Sequence, residues 1–166
     1  IVRKSTQADS LDLRSLQGHV DTNEDQDALR AQLAGLGLIG FIANGSVLPR
    51  QSGADDHPMV GDDVVRFTSP PSLETRIGVP HAGELIGMGL RTGITLVTGG
   101  GFHGKSTLLK AVERGIYNHI PGDGREHVVA VPDAVKVRSE EGRSICSVDL
   151  RPLIGDLPSG GDPATF

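Results

Sequence analysis

One string constrains this 166-residue chain more than any other: Gly99-Gly100-Gly101-Phe102-His103-Gly104-Lys105-Ser106. Before it lies Ile94-Thr-Leu-Val-Thr98, a β-branched apolar run that reads as a strong strand. After it, Lys105 to about Arg114 reads as a helix with Leu108, Leu109 and Val112 on one side. Glycines between a strand and a helix let successive backbone N–H groups turn inward, where a Cβ would obstruct the turn. The helix that follows aims the positive end of its dipole at the same point. The spacing G-x-x-x-x-G-K-[ST] is that of a phosphate-binding loop, in which Lys105 bridges β- and γ-phosphates and the Ser106 hydroxyl faces Mg²⁺. Phe102 and His103 occupy its variable positions. With 23 glycines in the chain, a chance match somewhere has a probability of about one in a hundred. The strand-to-helix context makes phosphate binding the reading of this string.

The sub-type is less sharply written. Neither D-x-x-G nor N-K-x-D occurs, so a guanine-reading Asp is absent from this segment and ATP is favoured. Hydrolysis needs a second acidic site, an apolar strand ending in Asp that orients Mg²⁺ and the attacking water. Val128-Val-Ala-Val-Pro132-Asp133 has the apolar run, but Pro132 ends the strand before Asp133. Ser144-Ile-Cys-Ser-Val-Asp149 has too little apolar content. Asp133 and Asp149 read as turn or strand-end residues, and the acidic partner is expected beyond Phe166. Leu157-Pro-Ser-Gly-Gly161 has the look of the L-S-G-G-Q signature of ABC-type ATPases, yet Pro163 follows and the segment reads as a loop.

Composition removes whole classes. The glycines follow no G-X-Y period, which excludes collagen, and no stretch approaches the ~20 apolar residues of a membrane helix. The single Cys146 has no internal disulfide partner, in keeping with a reducing, cytoplasmic setting. The formal charge is −5, and its surplus lies in the first half, around Glu24-Asp25-Gln26-Asp27 and Asp55-Asp56. An acidic surface repels nucleic-acid phosphates, so nucleic acid is expected only through segments outside this chain. Ile1 at the start and the loop-like Leu157–Phe166 at the end suggest cuts through a longer protein.

The rest of the chain reads as short elements. Thr22-Asn-Glu-Asp followed by Ala28–Leu33 and Gly35 predicts a helix over about residues 24–34. Leu36 to Ala43 predicts a strand ending in the Asn44-Gly45 turn. Residues 49–63 read as a loop, and Val64–Thr68, Leu73–Ile77 and Glu84–Met88 as the strands of an antiparallel meander. Further strands are expected at Val128–Val131, Ala134–Arg138 and Ser144–Val148. No His/Cys/Asp cluster has metal spacing, so His103 and His119 read as solvated or turn-packing residues. Cys146 reads as an inert packed thiol. Asp123, Arg125 and Glu126 read first as a charged turn, with a place near the nucleotide or a partner subunit as the alternative.

The residues say more than a generic phosphate loop. Thr92 to Glu126, with its glycine triplet and Tyr117-Asn-His-Ile-Pro-Gly-Asp-Gly-Arg-Glu126, resembles the bacterial family of predicted ABC-class ATPases. Asp27–Leu33, Phe41–Arg50, Val148-Asp149 and Leu157-Pro158 are similar too, so the resemblance runs from about residue 24 to the end. It implies an ABC-type α/β fold, with ATP and Mg²⁺ as ligands. By position, Gly99, Gly100, Gly101, Phe102, His103, Gly104, Lys105, Ser106 and Thr107 are the phosphate residues. Lys105 acts on the phosphates and Ser106 on Mg²⁺. Phe102 departs from the common G-P-N-G-x-G-K-S-T loop and marks the subfamily.

The expectation is therefore an α/β P-loop ATPase segment. Residues 1–37 end a preceding region, 38–90 form a small antiparallel β subdomain, and 91–166 form an incomplete nucleotide-binding core. ATP hydrolysis and homodimerisation belong to the full-length protein, this segment alone being catalytically incompetent. The rival readings are an ATP-driven binding switch with little turnover and a P-loop kinase.

Overall fold

The computed structural model describes residues 11–62, 64–137, 149 and 151. The chain falls into two compact units, Ile1–Val135 and Lys136–Phe166, and the first carries the architecture below.

Helix α1 spans Leu13–Leu33. It starts well before the expected residue 24 because Asp12 is its cap: the Asp12 carboxylate accepts from the backbone N–H of Arg14 and Ser15 at 3.1 and 3.2 Å. Thr22, expected at the cap, is an interior residue whose carbonyl accepts from Gln26 Nε2 at 3.0 Å. A 3₁₀ turn, Ala34–Leu36, closes the helix, and Gly37 leaves it in the left-handed region at φ 66°.

Four strands follow: β1 Leu38–Ala43, β2 Glu74–Val79, β3 Gly83–Arg91 and β4 Val128–Ala130. They form one sheet in the order β2-β3-β1-β4 with every pairing antiparallel. Helix α2, Lys105–Arg114, is the helix expected after the glycine loop. The mixed α/β class with a small antiparallel sheet is thus as the sequence indicates.

Strands β1 and β4 are largely buried on both faces, which strand periodicity allows only if successive side chains serve different layers. Phe41 and Val129 pack with Leu29 and Leu33 of α1. Their neighbours Ile42 and Val128 pack with Ala111 of α2 and with Leu48 and Met88. A bulge between Leu38 and Gly40 shifts the register, so Leu38 joins Phe41 on the α1 side. Close approach fixes the end of α2. A Cβ on Gly115 would lie 3.0 Å from the Ala130 nitrogen, and Gly115 O accepts from that N–H at 2.8 Å. Arg30 of α1 also donates to Gly115 O and Ala130 O at 3.2 and 3.3 Å.

Among the described residues, three of the expected strands are not found. Val64–Thr68 joins no ladder: Phe67 N–H reaches Ser46 O and its carbonyl takes Gly45 N–H, while Val64 N–H reaches Gly61 O and Arg66 Nη1 donates to Gly45 O. Residues 134–137 follow a turn and join no ladder, and Ser144–Val148 lies outside the described residues. Ile94–Thr98 is the sharpest departure: among the described residues no strand pairs with it, and Ile94 and Leu96 are exposed. An apolar run of that kind is shielded when strands flank it on both sides, and the described residues supply none.

The β2–β3 turn is latched to α1. The buried Asp25 carboxylate accepts from His81 N and Ala82 N at 2.7 and 2.8 Å. The His81 ring meets Glu24 at 2.6 Å. That hydrogen bond raises the His81 pKa above its ordinary value, with Asp21 and Asp25 adding to it against a smaller effect of burial. Its charged form is therefore favoured in the fold. The ring's contribution to the latch is fully present below the unfolded value of about 6.5 and is lost as pH rises through the higher folded one. His81→Gln should lower stability more at pH 5.5 than at pH 8.5 in urea unfolding. Equal losses at the two values would refute this latch.

Candidate nucleotide site

The loop between residue 98 and α2 has the backbone of an anion cradle. Gly99 and Gly104 lie at φ 145° and 80°, conformations that L side chains rarely adopt. Gly104 is the N-cap of α2 and no side chain caps it, so the first N–H groups of the helix are left to an outside acceptor. Lys105 folds back over the loop: its Nζ donates to Gly99 O at 2.7 Å and to Gly100 O. Ser106 is exposed in the first turn, and Thr107 is half-buried behind it. The His103 ring lies against Gly100, where a Cβ would come within 3.1 Å of it.

Phe102 is the one described non-glycine residue at positive φ, at 60°, and its side chain is fully exposed. Such a conformation costs roughly 1–2 kcal/mol, and no burial offsets it.

A cleft of about 620 Å³ opens beside the loop, within the range of small-molecule sites. Val97, Thr98, Phe102, Lys105 and Thr107 line one side; Leu48, Pro49, Met59, Val65 and Phe67 line the other. The sequence did not mark this second wall. Met59 falls in a stretch read as loop and Phe67 in one read as a strand, and only folding brings them opposite the glycines.

The other candidate residues sort as follows. Asp133 stands in an exposed turn after β4. Asp149, in the second unit, accepts from Arg151 Nε and Nη2 at 2.9 and 2.6 Å, and those bonds hold its carboxyl below the usual range. Among the described residues no group of three or more His, Cys, Asp or Glu can hold a metal ion. The Ser106 hydroxyl fits an Mg²⁺ ligand by its place in the first turn of α2. Cys146 and residues 157–161 lie outside the described residues.

Beyond the far end of α2 the chain turns at 121–124, and His119, Asp123 and Arg125 there join a half-buried to buried network. Asp123 accepts from Arg50 Nη2 at 2.7 Å and meets His119 Nδ1 at 2.8 Å. Burial opposes the Asp123 charge, but these hydrogen bonds outweigh it and hold the carboxyl below its ordinary value. Arg125 is 4% exposed, and its Nε and Nη2 both donate to Leu48 O. Burial, then the neighbouring Arg50 charge, pushes its pKa down to about 10, which leaves it charged at neutral pH.

A glycine loop entering an uncapped helix, with its lysine folded over it beside a ligand-sized cleft, is the arrangement of a P-loop domain. The family model described as ABC_ATPase, P-loop domain, matches residues 12–166. The chain belongs to that family. It is also 31% identical over 142 residues to the uncharacterized protein MJ1628 of Methanocaldococcus jannaschii, a match covering 82% of this chain and 32% of that relative. The chain thus spans about a third of the relative's length. Among the described residues no helix is long and apolar enough to cross a membrane.

Phe102→Gly should leave stability unchanged or raise it by up to about 1 kcal/mol, as relief of left-handed strain outweighs the extra chain entropy of glycine. A loss above that size in urea unfolding would mean that the ring is packed.

Proposed function

We propose that this chain binds MgATP through residues 99–107, as the P-loop segment of an ABC-class ATPase. The observation that carries the reading is the uncapped start of α2, with Lys105 Nζ resting on the Gly99 and Gly100 carbonyls. Phosphate oxygens are stronger acceptors for an ammonium than carbonyls are. Lys105 therefore moves from the loop carbonyls to the β- and γ-phosphates, while the N–H groups of residues 101–107 turn to the same anion. Ser106 contributes its hydroxyl to Mg²⁺, which when bound offsets phosphate charge. The base and ribose lie along the cleft, against Leu48, Met59, Val65 and Phe67.

Hydrolysis is a proposal for the whole protein. An acidic residue outside these 166 orients the attacking water, and a second copy closes over the γ-phosphate in a homodimer acting in the cytoplasm. Family membership supports ATPase activity of this general kind.

Removing the ammonium tests the reading. Lys105→Ala should weaken MgATP binding by at least ~2 kcal/mol, about 30-fold, through loss of a charge-assisted contact. Unchanged affinity by calorimetry, with the variant folded, would overturn the assignment.

A further inference from the structure

We propose that Arg125 and Asp123 are positioning residues for the nucleotide cleft: they hold in place the apolar wall that faces the phosphate loop. The proposal rests on the cleft being the nucleotide site. That wall has no regular structure of its own, since residues 46–49 and 64–70 join no ladder. Its backbone is fastened from outside.

The fastening runs through the Gly122-Asp-Gly-Arg125 segment. Val47 N–H donates to Gly124 O at 2.8 Å. Arg125 sends both Nε and Nη2 to the Leu48 carbonyl. Arg50 closes the other side, giving Nη1 to Asp123 O at 2.8 Å and Nη2 to the Asp123 carboxylate at 2.7 Å. Leu48 and Pro49, which line the cleft, are therefore gripped on both flanks. The grip extends one segment further, because Ser46 O accepts from Phe67 N at 2.9 Å and Gly45 N–H reaches Phe67 O at 2.8 Å. Phe67 lines the same wall.

The clamp is itself anchored. The fully buried Gln26 side chain takes the His119 N–H at 2.6 Å and gives its own N–H to His119 O at 2.9 Å. His119 in turn meets Asp123. A buried guanidinium is expensive to desolvate, and Arg125 spends two donors on one carbonyl of the cleft wall. An arrangement that served packing alone would be as well met by an apolar side chain of that volume.

The two ends of the site can be separated by ligand. Inorganic tripolyphosphate needs the loop and α2 alone, whereas ATP also needs the wall. In the full chain, Arg125→Met should weaken ATP at least fivefold and leave tripolyphosphate within twofold of its unsubstituted affinity. Arg125→Lys should recover part of the ATP loss. Asp123→Asn, which weakens the Arg50 grip and is milder to the core, should show the same split at smaller size. Equal losses on both ligands, or unchanged ATP affinity in a folded Arg125→Met chain, would overturn the positioning role. Failure of the unsubstituted chain to bind either ligand would instead overturn the nucleotide reading, and this inference with it.

Discussion

Helix α2 begins at a glycine that cannot cap it, and the site is organised around that vacancy. An ordinary helix start takes Ser, Thr, Asp or Asn to satisfy its first N–H groups, as Asp12 does for α1. Gly104 offers no such group, so the donors and the dipole of α2 face outward together. The same end would be an unsatisfied liability if it were buried. Placed beside an open cleft, it suits an anion, as the proposed function requires.

Holding that helix end in place is the work of the rest of the first unit. Ala111 of α2 is fully buried against the sheet, and the close contact of Gly115 with β4 fixes the other end. β1 and β4 are in turn held from behind by Leu29 and Leu33 of α1. The polar contacts follow the same plan: Arg30 and Gln26 reach past the sheet edge to the backbone at Gly115, His119 and Ala130. Among the described residues, the one non-glycine at positive φ lies in the loop, where Phe102 sits in solvent.

What the sequence made legible was local. The α2 pattern, the apolar run of β1 and the alternation in β2 and β3 depend on neighbours a few residues apart, and these elements lie within a few residues of where they were expected. The start of α1 was missed because its buried apolar residues, Leu29 and Leu33, lie near its end, while Leu13, Leu16 and Val20 behind Asp12 are exposed. Ile94–Thr98 has the composition of a flanked strand, but composition cannot say whether the flanking strands are supplied by the same residues. The charged turn at 123–126 is present, but the burial of Arg125 in it was missed for a related reason. Arg50 and Leu48, the partners of Asp123 and Arg125, are 73 and 77 residues away, and nothing in Asp-Gly-Arg itself announces a buried arginine.

The most direct test of the central account is backbone amide NMR of the chain during titration with MgATP. The account predicts the largest shifts at residues 100–107, with smaller ones at Leu48, Val65 and Phe67 across the cleft. Amides of the loop and of the first turn of α2 that stay unmoved while nucleotide binds elsewhere would contradict it.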